Sequence, residues 1–308
     1  MTETLPTIPK TVLLLGGSGF VGINLAFNLQ QAGHRVLSAS GKTNKQTALS
    51  LPLEGIGEIL ELVRKEKVDV VVHLASSMVP SSTMSDYIAE RDAVTLPTLQ
   101  IGVGLAELGV GLLYLSSGGT VYGKGCQKRA NEENFCEPIS WYGHAKLELE
   151  NGLSFLRRTQ GLRCLIVRPS NPYGPHQPLR SKQGLISVIF GKIMDRSPLE
   201  IWGDGSSIRD YIYIEDMVNS LRGMIERGVY GLTLNLGSGV GHSLLDVVQV
   251  VQRVTGQDLD LVFKPGRAVD VPHLVLDVTR LMKMNLYQSR SLLEGVRDYA
   301  MHLGLANV

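Results

Sequence analysis

Residues 11–22, TVLLLGGSGFVG, join a short apolar run to four closely spaced glycines. The apolar run predicts a buried strand, and the periodic apolar positions after it predict a helix that ends at Gly33. Between the two, Gly16 allows a tight turn, Gly19 lets the backbone approach a phosphate, and Gly22 lets the helix pack closely on the strand. The free N–H groups at the start of that helix favour an anion. A strand, a glycine turn and a helix in this order favour a dinucleotide site over a turn without a ligand.

The composition is that of a globular protein and speaks against several classes. The chain has 308 residues, 44% hydrophobic and 19% charged, and its formal net charge is +1. That balance argues against nucleic-acid binding, and no apolar run reaches the roughly 18 residues of a membrane span. The start, MTETLPTIPK, lacks the basic and apolar regions of a signal peptide. Three cysteines without a CxxC spacing (Cys126, Cys136 and Cys164) are too few for a disulfide framework, so we expect a cytoplasmic protein.

Short apolar strands alternate with helices along the first half of the chain, which is typical of a parallel sheet covered on both faces. The pattern changes after Pro169, where the Pro- and Gly-rich segment 171–178 begins a mixture of strands, turns and helices. We expect an α/β fold, a Rossmann-type doubly wound parallel sheet with a smaller α/β substrate-binding lobe toward the C-terminus. The dinucleotide-binding domain is predicted over 1–172 and 210–238, and the substrate lobe over 173–209 and 239–308.

The second predicted strand ends where an acid often holds the adenine ribose of NAD, about 20 residues after the glycines. This chain has Ser40, Gly41 and Lys42 at that place. Ser40 can hydrogen-bond a ribose hydroxyl. Lys42 either faces the 2′-phosphate of NADP or lies in solvent as an ordinary loop lysine. These residues by themselves leave the choice between NAD and NADP open.

Tyr142 and Lys146 stand four residues apart in YGHAK and share one face of a helix predicted over 141–160. A phenol with an ordinary pKa near 10 is a poor base at pH 7. A nearby ammonium and a cationic nicotinamide favour the phenolate, and lowering the pKa by about three units requires about 4 kcal/mol. The pair then serves as a general base for a substrate hydroxyl. The alternative is a surface Tyr–Lys pair without a catalytic role.

Together these motifs resemble the extended short-chain dehydrogenase/reductase family, in particular its NAD-dependent epimerase/dehydratase branch and most closely the UDP-hexose 4-epimerases. The likeness covers nearly the whole chain, and the ordered set of motifs is specific to this branch. Besides the glycine turn and YGHAK, the set includes HLASS at 73–77, SSGGTVYG at 116–123, RPSNPYGP at 168–175, WGDGSSIRDYIYIED at 202–216 and NLGSG at 235–239.

The resemblance implies which residues carry the chemistry. The catalytic residues would be Tyr142 as base, Lys146 on the nicotinamide ribose, and Ser117 or Thr120, whose hydroxyl would polarise the sugar oxygen. The cofactor would contact Gly16, Gly19, Phe20, Val21, Gly22, Ser40, Leu74, Ala75, Ser76, Ser116, Tyr142, Lys146 and Pro169. The nucleotide sugar would contact Ser117, Asn171, Trp202, Arg209, Arg267, Asp270 and Leu274, with guanidiniums on the phosphates and the indole beside the uracil. No metal site is expected, because the histidines show no ligand spacing.

Several residues depart from the family pattern. Thr120 stands where a dehydratase or decarboxylase has an acid, which favours epimerisation. Gly118 replaces the usual third hydroxyl, and Asp92 replaces a usual asparagine. Leu274 is smaller than the tyrosine common near that position, which predicts room for an N-acetyl group at the sugar C2. Plain structural alternatives are core packing for Trp202, a surface position for Arg267 and an ion pair of Arg209 with Asp210.

We therefore expect an enzyme, a UDP-hexose 4-epimerase that works through a transient 4-keto sugar and tightly bound NAD. Its expected substrates are UDP-glucose and UDP-galactose and, from Leu274, their N-acetyl counterparts. An NAD(P)H-dependent nucleotide-sugar reductase or a 3- or 5-epimerase is the alternative of the same class, and a non-catalytic dinucleotide-sensing regulator is that of another. Members of the family commonly pair through two helices, here 91–108 and 141–160. A homodimer is therefore expected, with no nucleic-acid or membrane partner.

Overall fold

The computed structural model describes residues 8–41, 49–123, 129–181, 183–266 and 271–307. The described strands are β1 Thr11–Leu15, β2 Arg35–Ser40, β3 Leu49–Ser50, β4 Val70–His73, β5 Gly111–Leu115, β6 Arg129–Ala130, β7 Cys164–Pro169, β8 Asn171–Tyr173, β9 Leu199–Trp202, β10 Ile208–Tyr213, β11 Thr233–Leu236, β12 Gly241–Ser243, β13 Leu261–Lys264 and β14 His273–Leu276. The described α-helices are α1 Phe20–Gln31, α2 Ile56–Lys65, α3 Met84–Glu90, α4 Leu96–Leu108, α5 Gly118–Val121, α6 Trp141–Gln160, α7 Leu185–Met194, α8 Ile214–Arg227, α9 Leu244–Thr255, α10 Thr279–Lys283 and α11 Leu292–Leu303. A short π-helix, Arg91–Thr95, joins α3 to α4.

Seven parallel strands form the first sheet, in the order β11-β7-β5-β4-β1-β2-β3. The chain winds outward from β1 in both directions, which confirms the predicted Rossmann-type doubly wound sheet. Helices cover both faces. Along β1, Val12 and Leu14 face the core under α1 and α8, whereas Leu13 and Leu15 face the core under α2, α4 and α6. Burial on both faces explains why the strand is a continuous apolar run rather than an alternating one.

The second half of the chain supplies a smaller sheet, β12-β10-β14-β6, with β8 beside β10 and with β9 and β13 as a separate parallel pair. Helices α7, α9 and α11 bury a core there around Phe190, Val247 and Tyr299. The two regions interleave along the chain. β11 returns to the edge of the first sheet, and β6, which lies within the predicted dinucleotide-binding domain, pairs with β14. The division at residues 172, 209 and 238 stays a prediction.

Helix α6 covers the predicted range 141–160, whereas the helix expected over 91–108 is different. It is preceded by α3, passes through the π-helix and becomes regular only at Leu96. Pro97 gives the physical reason, because proline has no N–H to donate to the preceding turn and fits only the first turn of a helix. Among the described residues, no helix is both long enough and apolar enough to cross a membrane.

Candidate active site

The glycine turn after β1 has the geometry that its sequence predicts. Gly16 has a φ of +87°, and the N–H groups of Gly16 and Gly17 donate to Ala39 O at 2.9 and 3.0 Å. A Cβ on Gly22 would lie 2.7 Å from the backbone of Gly17, so a larger residue would push α1 away from the turn. Gly16 and Gly22 are therefore required by the fold itself.

Gly19 is different, because the fold does not require a glycine there. A Cβ on Gly19 would meet Gly16 O at 3.5 Å and nothing closer, and its φ of −77° suits any residue. Gly19 is also the N-cap of α1, which has no side-chain capping hydrogen bond. An open approach to a helix start whose N–H groups lack a side-chain acceptor fits a dinucleotide phosphate. Phe20 and Val21 form the first turn of α1 there.

The remaining predicted cofactor residues lie at the carboxyl ends of the neighbouring strands, where doubly wound sheets bind ligands. Ser40 ends β2, and Lys42 lies outside the described residues. Leu74 N donates to Leu15 O at 2.8 Å, and Ala75 packs directly against Gly16. Ser76 follows them, and Pro169 ends β7 opposite Leu236.

Tyr142 and Lys146 lie in the first two turns of α6. Ser140 caps the start of this helix, and its side chain accepts from Gly143 N at 3.1 Å. The Ser117 hydroxyl lies close enough to the Tyr142 phenol to lower its pKa. Lys146 is buried, its Nζ donates to Leu115 O at 3.2 Å, and it lies 5.8 Å from the centre of the Tyr142 ring. The structure thus brings three of the four predicted catalytic residues together.

The electrostatics of this pair differ from the expectation that Lys146 alone favours the phenolate. Burial raises the pKa of Tyr142 to about 12, although the Ser117 hydroxyl acts in the opposite direction. Burial also lowers the pKa of Lys146 to about 8. Desolvation penalises both charged forms, and it outweighs their neighbours. A phenolate on Tyr142 therefore needs a further positive charge at the site.

Glu90 is a residue of this site that the sequence reasoning missed. Its carboxylate is 4% exposed, and it lines a small cavity together with Ser76, Tyr142 and Lys146. Asp92, which stands at the family's usual asparagine, is exposed instead and pairs with its neighbour on the chain. The signal that could have found Glu90 is its place in the helix after HLASS. Among the described residues, no three His, Cys, Asp or Glu side chains form a possible metal site.

A second buried network lies behind β5. The Ser116 hydroxyl donates to Glu150, whose carboxylate accepts three hydrogen bonds of 2.6 to 3.1 Å from Arg168. Arg168 also donates to Tyr122 OH at 3.0 Å, and that hydroxyl donates to Asn235 at 2.7 Å. The Ser116 hydroxyl therefore faces this network, and its predicted contact with the cofactor stays a prediction. Glu150 could have been found by its helical spacing, four residues after the lysine.

Thr120 and Gly118 lie in the short helix α5 beside the tyrosine. Thr120 Oγ1 is buried and has no hydrogen-bond partner among the described residues. A Cβ on Gly118 would lie 2.8 Å from Leu276 and 2.9 Å from Arg168 O. The position that usually carries a hydroxyl in the family is closed here by packing, and Thr120 offers the unpaired hydroxyl nearest along the chain.

The predicted sugar-nucleotide residues lie on the second sheet and beside it. Asn171 begins β8 and donates to Asp210 O at 2.8 Å, while Arg209 lies in β10. The Asp210 carboxylate is buried and accepts from the backbone and hydroxyl of Ser238 and from two further backbone N–H groups. Its partners are therefore not those of a simple ion pair with Arg209. Burial raises the pKa of Asp210.

Trp202 ends β9 and is 43% exposed, so it is not core packing. Leu274 lies opposite Arg209 in the register of β14 and β10 and is 3% exposed. Its neighbours are apolar and include Val121 and Leu276. The Leu274 side chain is therefore packed, and its predicted contact with the sugar stays a prediction. Arg267 and Asp270 lie outside the described residues.

A parallel sheet wound outward from a glycine turn, with a Tyr–Lys pair on one helix beside it, defines the extended short-chain dehydrogenase/reductase class. Within that class, the chain belongs to the NAD-dependent epimerase/dehydratase family, whose sequence model matches residues 12–237. NAD is the cofactor of this family, and the open approach at Gly19 fits it.

The relatives of this chain differ from one another in the activity that their names give. The UDP-glucose 4-epimerase of Azospirillum brasilense is 32% identical over 91% of this chain and 87% of its own length. The dTDP-4-dehydro-6-deoxyglucose reductase of Escherichia coli is 28% identical over 88% of this chain and 90% of its own. The crystal structure of UDP-glucose 4-epimerase from Thermotoga maritima with UDP-glucose matches with a TM-score of 0.88 at 25% identity, covering 96% of this chain and 98% of that one.

Proposed function

We propose that this protein is an NAD-dependent UDP-hexose 4-epimerase that interconverts UDP-glucose and UDP-galactose. The observation that carries the proposal is the position of Tyr142 on α6, where Nζ of the buried Lys146 lies 5.8 Å from the centre of its ring. The choice of reaction is supported by relatives such as the Azospirillum brasilense 4-epimerase.

Tyr142 is the general base of the proposed reaction. Bound NAD supplies a hydride acceptor for the sugar C4 and a positive charge that favours the phenolate. Tyr142 Oη takes the proton of the C4 hydroxyl as the hydride leaves, and returns it when the 4-keto sugar is reduced on its other face. Lys146 stabilises the phenolate by its charge. One proton moves out and back, so the reaction has no net redox change.

Thr120 is the hydroxyl that we assign to the sugar C4 oxygen. A buried hydroxyl without a partner is costly unless a ligand satisfies it, and Thr120 Oγ1 is such a group. Ser117, the other candidate, already acts on the Tyr142 phenol by lowering its pKa and is better placed to hold the phenol in position.

The nucleotide half of the substrate is assigned to the second sheet. Asn171 and Arg209 come from adjacent strands, β8 and β10, and supply an amide and a guanidinium for the diphosphate. Trp202 offers a half-exposed indole face for the uracil. Arg267 and Asp270 belong to this set on the family resemblance alone.

Turnover of UDP-N-acetylglucosamine is the finer part of the proposal. It rests on the small size of Leu274, which the structure places in an apolar cluster with Val121 and Leu276. Space for an N-acetyl group at the sugar C2 therefore depends on how this apolar cluster packs.

A nucleotide-sugar reductase is the second candidate function, and two observations favour it. The Escherichia coli relative is named a dTDP-4-dehydro-6-deoxyglucose reductase. A reductase needs the same tyrosine but uses it as an acid toward a 4-keto sugar. Stoichiometric consumption of NADH or NADPH distinguishes this reaction, since an epimerase regenerates its cofactor.

The test compares three substrates with the purified protein. UDP-glucose and UDP-N-acetylglucosamine are incubated separately without added cofactor, and the C4 products are identified by NMR. dTDP-4-dehydro-6-deoxyglucose is incubated with NADH or NADPH, and absorbance is followed at the nicotinamide band. We expect galacto products from UDP-glucose and no steady consumption of reduced cofactor. Consumption with the keto sugar and no epimerisation would replace the proposal by the reductase.

We also propose a homodimer that pairs through α4 and α6. Leu96 and Phe155, which are 49% and 54% exposed, give these helices apolar side chains on the surface. Light scattering after size-exclusion chromatography tests the stoichiometry. We expect a dimer for the wild-type protein and a monomer for Phe155→Glu.

A further inference from the structure

Glu90 is a buried carboxylate that the proposed reaction leaves unused. Its two oxygens accept from Ser76 Oγ at 2.7 Å, Ser77 Oγ at 2.6 Å and Ser77 N at 2.9 Å. An ionised carboxylate only accepts hydrogen bonds, so three donors suit it. Two hydroxyls and one peptide group hold the negative charge in one place without neutralising it.

The π-helix gives Glu90 its position. Glu90 ends α3, and the wider π turn of residues 91–95 follows directly. Val94 and Thr95, four and five residues later, line the same small cavity as Glu90, and so do Tyr142 and Lys146 from α6. π turns of this kind are frequent at functional sites. The π-helix therefore directly follows the residue whose carboxylate shares this cavity with Tyr142 and Lys146.

Five titratable groups face Lys146 from four elements. They are Glu90 from α3, His73 from β4, Tyr114 from β5, and Tyr142 and Glu150 from α6. Burial and the nearby ammonium lower the pKa of His73 to about 3, so this ring is neutral. Burial raises the pKa of Tyr114 well above its usual value, so this phenol is neutral too. Among the described groups that face Lys146, the two carboxylates are the ones that can carry negative charge at neutral pH.

The two carboxylates differ in what neutralises them. Glu150 is paired with the Arg168 guanidinium, which donates to both of its oxygens. Glu90 has only neutral donors, Ser76 and Ser77. A charge that is already paired with a cation acts weakly on a third group, whereas an unpaired one in a desolvated cavity acts strongly.

We propose that Glu90 is a positioning residue, the fixed counter-charge that keeps Lys146 an ammonium beside Tyr142. Its catalytic consequence rests on the proposed function, while the charge effect concerns the protein alone. The Glu90 charge raises the pKa of Lys146 and also that of Tyr142. Removing it should lower both, so both limbs of the pH–rate profile should move to lower pH.

The direct test is the titration of Lys146 in Glu90→Gln, without sugar substrate. The isosteric amide keeps an acceptor for Ser77 N and Ser77 Oγ, and the Ser76 hydroxyl can reverse to accept from the new NH₂ group, so the fold should tolerate it. Lysine labelled at Cε is followed by NMR, with Lys146→Met to assign the resonance. We expect the pKa of Lys146 to fall by about one unit.

Two variants on the same chain serve as controls. Glu90→Asp keeps the charge and should titrate nearly as the wild type does. Glu148→Gln removes a carboxylate that lies on α6 and accepts from Tyr87 OH, outside the cavity, and should leave Lys146 unchanged. A structural role alone would lower activity without moving the pH–rate profile, whereas a counter-charge moves it by about the shift seen in the titration.

The outcomes separate the two proposals. A folded Glu90→Gln protein with an unchanged Lys146 titration overturns the counter-charge, whatever the enzyme acts on. The same holds if Glu148→Gln gives an equal shift. A shifted titration in a protein without 4-epimerase activity supports the counter-charge and rejects the proposed function. If Glu90→Gln does not fold, Glu90→Met is the second neutral variant, judged by the same titration.

Discussion

The two halves of the site are built in opposite ways. The cofactor half comes from continuous segments, the glycine turn after β1 and the first turns of α6, and backbone geometry fixes each of them. The proposed sugar half takes single side chains from separate segments, namely Thr120, Asn171, Trp202 and Arg209. A continuous segment leaves a spacing pattern in the sequence, whereas gathered side chains do so only through the fold that brings them together.

Tyr142 belongs to both halves, so its replacement should have the largest effect. Tyr142→Phe keeps the ring on α6 and removes the hydroxyl that takes the proton. We expect kcat to fall about 1,000-fold, about 4 kcal/mol, with the retained NAD unchanged. The measurement is epimerisation of UDP-glucose by NMR, together with NAD released from the purified protein. Full activity of this variant would remove the mechanism, and loss of NAD would make Tyr142 a binding residue instead.

The cofactor half is tested by two glycines that differ in why they are needed. Gly22→Ala places a methyl group 2.7 Å from the backbone of Gly17, so we expect unfolding to become easier by about 3 kcal/mol. Gly19→Ala meets nothing in the protein closer than 3.5 Å, so its stability should stay within about 0.5 kcal/mol of the wild type. Urea unfolding and retained NAD are measured for both.

The contrast between these glycines is the informative result. We expect Gly19→Ala to fold normally and lose NAD on gel filtration, because the methyl group occupies the approach of the phosphates. Normal NAD retention in Gly19→Ala would show that the ligand lies elsewhere, and equal stability of the two variants would contradict the packing argument.

In the sugar half, Thr120→Val removes the unpaired hydroxyl and keeps the shape. We expect kcat to fall about 30-fold, about 2 kcal/mol, because the C4 oxygen loses a hydrogen bond in the transition state. Stability should not fall, since no residue that the structure describes hydrogen bonds with this hydroxyl. Kinetics with UDP-glucose and a thermal melt check both statements. Wild-type kcat in Thr120→Val, with a large loss in Ser117→Ala, would reassign the role to Ser117.

The sequence predicts the glycine turn and the helix that carries Tyr142 and Lys146, because the rules for both are local. Gly16, Gly19 and Gly22 have a fixed spacing, and helical periodicity places Tyr142 and Lys146 on one face. Local rules also predicted the alternation of strands and helices that the first sheet shows. The charge state of the pair was not predictable, because desolvation depends on what surrounds the pair in three dimensions.

The sequence predicts less of the remaining site because non-local packing decides it. Leu274 looked like the wall of a pocket, yet β14 pairs with β10 in a register that packs it among apolar residues. Glu90 lies in none of the sequence motifs, and only the fold buries its carboxylate beside Ser76 and Ser77, where α3 meets the π-helix. Neither the strand register nor the π turn has a spacing rule from which it could be predicted.

Trp202→Ala should have the smallest effect of the set. The indole is 43% exposed at the end of β9, so its loss costs little stability. If it stacks on the uracil in the ground state and the transition state alike, KM for UDP-glucose rises about fivefold, about 1 kcal/mol, and kcat is unchanged. Phe27→Ala on α1 is the matched control. It removes a 64% exposed ring that is distant from Trp202 in the sequence, and it should change neither KM nor kcat. An unchanged KM in Trp202→Ala would show that the uracil does not stack on the Trp202 indole. The uracil would then have to bind elsewhere on the protein.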